Sequence, residues 1–484
     1  GKSVPAIFTD EPQFSHKSFL PFAEVPKDLY LPWTPDLDPS FAKEFGEPIL
    51  DHLPEVVWDL PNREPSRWRY LYHEWVAERF ASSFSDQLGQ WCESNGLALT
   101  GHMMEESTLG KQTKALGDAM RSYRTMQIPG IDMLCDWEEL TTAKQAQSAA
   151  RQYGRPGLMS ELYGVTGWDF NFAGHKRQGD WQAALGVLFR VHHLSWYCMR
   201  GEAKRDYPAS ISYQSPWYKK YSIIEDHFAR VGSVLSRGNP VCRVGVMHPV
   251  ESYWISLGPR DTSSAECQQR DDLFGALTEW LIHGLIDFDF IAESLLPDQQ
   301  DQSDLSHFGA GEMNYEVVVL PGMRTIRSTT LDRLEAFQKS GGKIVFAGEI
   351  PSLVDAVAST RAQDLAEKCS CVSYDRSSVL DALSNHRDID VITRFGQRPP
   401  KLVYQMREEG EDRYLFLCNM GKDLHTVPVC TLELRGEYSV ETMDTETGDS
   451  SQLSSSQGDG KTSISVQLNE SGHILLRLKS GTES

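Results

Sequence analysis

"IFTDEP", residues 7–12, decides how this 484-residue chain is read. Two apolar residues run into a Thr, two carboxylates and a Pro, the pattern of a buried strand that ends at a polar edge. The stretch "LMSELYG", residues 158–164, repeats it, passing from apolar residues to a Glu. Between them, the apolar run Leu97–Met104 carries Gly101-His102 and the run Met126–Leu134 carries Asp132. Helical stretches separate the runs: Arg69–Ser94, with apolar residues at Leu71, Trp75, Phe80, Phe84 and Leu88, and Thr141–Tyr153, rich in Ala and Gln. Strands alternating with helices predict a parallel sheet. A parallel barrel gathers its reactive groups at the C-terminal ends of its strands.

The rest of the chain divides by pattern. Residues 1–235 hold the alternation just described, interrupted by Pro21–Pro65, whose prolines and aromatics predict a functional loop or small subdomain. Residues 236–395 repeat the alternation as a flavodoxin-like α/β unit, with strands at Val241–Met247, Phe288–Ile291, Val317–Leu320 and Lys343–Ala347. Helices are expected at Asp272–Ile282 and Thr330–Ser340, the second stopped by Gly341-Gly342. Residues 396–484 switch to short strands with polar turns, Tyr414–Cys418, Val427–Leu434, Ser463–Leu468 and His473–Leu478, which predicts a small antiparallel β-sandwich.

Composition excludes several classes. A net charge of -21 and a pI near 5.1 argue against nucleic acid, whose binders concentrate Lys and Arg on one face. There is no apolar run of the ~18 residues that a membrane span needs and no basic-then-apolar leader, so no membrane partner is expected. Nine cysteines lack the spacing of a disulfide framework or zinc site and lean toward a reducing, cytoplasmic setting, although the compartment stays open because the chain starts at Gly rather than Met. Neither a metal nor an organic cofactor is expected.

Paired carboxylates at strand ends suit glycoside cleavage, in which one carboxyl group protonates the departing oxygen and another attacks or shields the anomeric carbon. Each Glu taken alone also fits a helix N-terminus, where the dipole favours it. The surroundings suit a sugar site: Tyr163, Trp168, Trp181 and Trp196 can stack on sugar faces, and Asp169, Asn171 and Lys176 can bond hydroxyls. Asp10, His102 and Asp132 complete the expected substrate contacts. Aromatics at helical spacing also serve as core, but the polar density of residues 167–182 is harder to explain by packing.

With these residues in hand, the chain resembles a clan A glycoside hydrolase, in the C-terminal part of a (β/α)8 TIM barrel. Its order of barrel, flavodoxin-like unit and small β-domain is similar to the family 42 β-galactosidases. In that clan the acid/base Glu follows strand four, typically as Asn-Glu-Pro, and the nucleophile ends strand seven. The resemblance implies Glu11 as acid/base, Glu161 as nucleophile, and Gly186–Met199 as the eighth strand and its loop. Asp10 stands where the Asn would be and cannot donate its amide hydrogen bond. The resemblance also implies that strands one to three are missing, leaving a half barrel with an exposed edge. The α/β unit is similar to a trimerisation domain, so a homo-oligomer is possible through it, and "VVVLPGMRTI", residues 317–326, has Gly-Met where a nucleophile elbow would place Cys or Ser. The implied function is a retaining glycosidase acting on a β-galactoside-like glycan. An α-L-rhamnosidase-like or inverting glycosidase, or a non-catalytic carbohydrate-binding or assembly protein, stays open.

Overall fold

The computed structural model describes residues 3–14, 17–202, 207–208, 211–299, 306–422 and 427–480. Its first sheet has five parallel strands in sequence order: β1 (Ala6–Thr9), β2 (Ala98–Gly101), β3 (Ile128–Met133), β4 (Leu158–Leu162) and β5 (Val187–His192). The sheet curls as half of a barrel. Its two outer strands expose apolar side chains, Ile7 and Phe8 on β1 and Phe189 and Val191 on β5. The segment Pro21–Pro65 holds a helix at Leu37–Phe45 and short turns of helix at Ile49–His52 and Leu53–Val57, and its Leu37, Phe41, Ile49 and Val56 join the main core.

Tight backbone approach sets the curl at β2. Gly101 has φ +125, and a Cβ there would lie 1.9 Å from the Thr9 carbonyl oxygen. Only glycine fits such a backbone without strain. The close approach also lets the His102 N–H donate to the Thr9 oxygen at 3.2 Å, which carries the β1–β2 register one step past the strands.

The helix Leu140–Gln152 is buried along its whole length. Its alanines, at 143, 146, 149 and 150, leave room for close packing on β3 and on the strand Phe288–Ile291 of the second unit. Two of its cations are buried with it. Lys144 meets Asp287 at 2.9 Å, while Arg151 meets Asp287 at 2.8 Å and Asp289 at 2.9 Å. The barrel and the α/β unit therefore share one hydrophobic core.

In that second unit, five parallel strands lie in the order Ser370–Val372, Lys343–Ala347, Val317–Pro321, Val244–Met247, Phe288–Ile291. Numbered along the chain, this is the 2-1-3-4-5 order of flavodoxin-like sheets. The C-terminal part stacks a four-stranded and a six-stranded sheet around Val391, Leu415, Leu417, Leu432, Leu476 and Leu478. The strand Ile389–Thr393 already belongs to it, ahead of residue 396, and Asn239–Pro240 pairs with its strand Leu402–Glu409.

Replacing Gly101 with Ala is expected to cost at least ~2 kcal/mol of stability, because the new methyl meets backbone at a positive φ. Denaturant unfolding measures it; a loss within ~0.5 kcal/mol would show that β1 and β2 separate without penalty.

Candidate active site

Register brings the site together. Asp132 of β3 and Glu161 of β4 are cross-strand partners, and Asp10 and His102 follow the paired residues Thr9 and Gly101. The His102 side chain is fully buried, and its Nε2 lies 3.2 Å from Asp10 Oδ1 and 3.9 Å from Asp132 Oδ2, while its Nδ1 lies 3.8 Å from Glu161 Oε2. Glu11 joins the group, with one carboxylate oxygen within 4.8 Å of both a His102 nitrogen and an Asp132 oxygen. Four carboxyl groups thus surround one imidazole. Phe8 packs edge-on against that ring at 5.5 Å.

Burial and mutual repulsion shape the charges. Asp132 is pushed up to about 7, first by burial, then by the charges of Glu161, Glu11, Asp10 and Glu139. Glu161 is raised by burial and by Asp10 and Glu11, and Glu11 by burial, Asp10 and Glu105. Burial holds His102 below its ordinary value although Asp10 pulls the other way, so the ring is neutral at pH 7. The Nε2 side of the ring is engaged by Asp10 Oδ1. Among the described residues, His102 Nδ1 and Asp132 Oδ1 are buried without a hydrogen-bond partner.

None of these residues caps a helix. Helices after β2 and β4 begin at the side chains of Thr108 and Asn171, which accept the N–H groups of Lys111 and Gly174, and the helix after β3 starts at Leu140. The first helix after β1 starts only at Leu37. Backbone strain gathers at the same strand ends: Glu11, Glu105, Cys135, Asp136, Tyr163 and Val165 all have positive φ. Such conformations persist where surrounding structure fixes them.

The other expected contacts separate into two groups. Trp168 and Asp169 are exposed on the loop after β4, and Trp196 is buried with its ring 5.6 Å from that of Trp168. Tyr163, Trp181 and Lys176 are taken up by the fold, and Asn171 has a structural task of its own. Tyr163 is fully buried, its hydroxyl donating to the His175 carbonyl and accepting from Arg190. Trp181 is 1% exposed and packs in the core. Asn171 is exposed and caps the helix through Oδ1, and Lys176 pairs with Asp180 and donates to the Ser471 carbonyl at 2.7 Å.

Residues 167–182 are polar largely because the helix Phe172–Ala184 packs on the sandwich. Asp180 meets His227 at 2.6 Å, His227 meets Thr445 at 2.9 Å, and Thr445 meets His473 at 2.8 Å. Glu105 and Glu139, which act on Glu11 and Asp132, were not among the expected residues. Their signal was the acidic run directly after each strand, "MMEES" at 103–107 and "DWEE" at 136–139.

Among the described residues, three groups of donors lie close enough to hold a cation: Asp10, His102 and Glu161; Glu11, His102 and Asp132; and Asp180, His227 and His473. The first two share one imidazole and are rich in hard carboxylate oxygens. In the third, the Lys176 ammonium already compensates Asp180.

Residues 30–455 match the model of glycoside hydrolase family 106, described as alpha-L-rhamnosidase. Among solved structures, the chain is similar to the rhamnosidase from Novosphingobium sp. PP1Y, with a TM-score of 0.73, 18% identity, and coverage of 93% of this chain and 44% of that one. It is also similar to Gan42B, a GH42 β-galactosidase from G. stearothermophilus, with a TM-score of 0.61, 12% identity, and coverage of 92% and 75%. A protein of Formosa agariphila named "Putative beta-glucuronidase" is 22% identical over 321 residues, 65% of this chain and 25% of that protein. The chain thus spans less than half of the rhamnosidase and a quarter of the Formosa protein. The expected kinship with family 42 holds for the fold, while the family matched is 106.

Asp132 also predicts a pH dependence. A carboxyl whose folded value lies near 7, above its ordinary 3.8, binds its proton more tightly in the folded state, so its contribution is greatest in acid and is lost as pH rises toward 7. Asp132→Asn is expected to flatten the fall in melting temperature between about pH 4 and pH 7 and to leave the variant more stable than wild type at pH 8. Equal slopes in thermal melts across that window would show that Asp132 is ionised throughout.

Proposed function

This chain belongs to glycoside hydrolase family 106, and from that membership we propose that it cleaves α-L-rhamnosidic bonds with Glu11 and Glu161 as its working carboxyl groups. One observation carries the reading. Carboxyl groups from the ends of β1, β3 and β4 converge on the neutral ring of His102.

Glu11 suits the proton donor, because burial and its acidic neighbours raise its carboxyl and keep its proton available at higher pH. Glu161 suits the anionic partner. Asp132, protonated up to about pH 7, spares Glu161 a second full negative charge beside it. In the first step a Glu161 oxygen bonds to the anomeric carbon as Glu11 gives its proton to the departing oxygen. In the second, Glu11 takes a proton from water, whose oxygen displaces Glu161 from the sugar. Two displacements keep the anomeric configuration. His102 Nδ1 and Asp132 Oδ1, both without a partner among the described residues, are suited to sugar hydroxyls, and the exposed Trp168 to a sugar face.

An aryl α-L-rhamnoside and an aryl β-galactoside test the substrate, with Glu11→Gln and Glu161→Gln alongside wild type. The rhamnoside is expected to be the better substrate, each variant is expected to lose roughly 10³-fold or more in kcat, and NMR of the first sugar released is expected to show the starting anomer. Near-normal rates in either variant would remove that residue from the chemistry. The opposite anomer would replace the covalent step with direct attack by water, and glycan binding without turnover would favour a binding role.

A further inference from the structure

A cavity of about 840 Å³ lies at the opposite end of β4 from Glu161. Its walls come from the loop 154–157 leading into β4, the connection 236–243, residues 312–316 of the α/β unit and the sandwich strand Leu402–Glu409. In a chain of net charge -21, five arginines line it: Arg151, Arg155, Arg243, Arg407 and Arg413. Three have acidic partners. Arg151 meets Asp287 and Asp289, Arg243 meets Asp388 and Glu316, and Arg413 meets Glu408.

Arg155 and Arg407 have none among the described residues. Arg155 donates one long bond, 3.4 Å, to the Arg124 carbonyl, and its Nε is buried without a partner. Arg407 donates to the carbonyls of Arg237 at 2.8 Å and Gly238 at 2.6 Å. Burial, with help from the Arg151 charge, lowers Arg407 to about 10, the mark of a cation that no acid offsets. Together with Arg151, the two also line a smaller recess beside the cavity. Glu312, exposed at the wall, is the cavity's one carboxylate outside an ion pair among the described residues.

We infer that Arg155 and Arg407 form a binding site for an oxyanion, a phosphate, sulfate or carboxylate, separate from the carboxylate cluster. Guanidinium groups bind such anions through paired N–H donors, and a cavity walled by low-dielectric protein strengthens the attraction. Fixing Arg407 by two carbonyls leaves donors over for a ligand and limits the entropy lost on binding. An anion here would also join all three parts of the fold, because each contributes a wall.

Thermal melts of the protein test the site, titrated at constant ionic strength with sodium sulfate, sodium phosphate, glucuronate, galactose and sodium chloride. A ligand that binds only the folded state raises the melting temperature with its concentration. Sulfate and phosphate are expected to do so saturably, with the midpoint about tenfold higher in Arg155→Gln and in Arg407→Gln. Tighter binding by glucuronate than by the inorganic ions would place the anion on an acidic sugar, and the reverse order would make it a free oxyanion. If Arg407→Gln fails to fold for want of its two carbonyl bonds, Arg155→Gln, whose one bond is long, carries the test. Chloride or galactose matching sulfate, or unchanged midpoints in the variants, would overturn the site.

Discussion

Like charges held close by strand register are the constraint on which the rest of the structure depends. Asp132 and Glu161 face each other because β3 and β4 pair in parallel, and Asp10 meets His102 because the β1–β2 ladder extends one residue further. Separate carboxylates would move apart in water. Here backbone hydrogen bonds fix their origins, and the repulsion shows as protons held to higher pH. A cluster that can hold a proton donor beside an anion is what glycoside cleavage requires.

Such a cluster needs a rigid frame, and the frame is unusually polar inside. The helix behind β3 is buried on every side, and its Lys144 and Arg151 reach Asp287 and Asp289 across the boundary with the α/β unit. A further network joins Arg327 to Glu74 and Glu251, and Arg121 to Glu74 and Asp118. Buried pairs of this kind add little net stability, since desolvation offsets much of the attraction, but losing one partner strands a charge. They therefore fix one arrangement of the two units. The sandwich is tied to the barrel in the same manner, through Asp180, His227, Thr445 and His473.

Much of this was legible in the sequence where the signal was local. The strand ends at Thr9, Gly101, Met133 and Leu162 lie inside or beside apolar runs, and residues just before or just after them are those that meet around His102. Trp181 and Lys176 were misread because a helix facing another part of the fold carries the same mixture of aromatic and polar residues as a sugar cleft. Only knowing that Phe172–Ala184 packs on the sandwich separates the two. Tyr163 was misread for a related reason, its hydroxyl being satisfied inside by His175 and Arg190.

Periodicity and punctuation by themselves determined the parallel α/β sheets, the β-rich C-terminal part and the acidic strand ends, because hydrophobic spacing and turn residues act within a few positions of one another. Tertiary structure alone decided which charges share a site. Asp10 and His102 are 92 residues apart in sequence, and Arg151 and Asp289 are 138 apart. Their proton affinities follow from burial and distance, which no local pattern encodes.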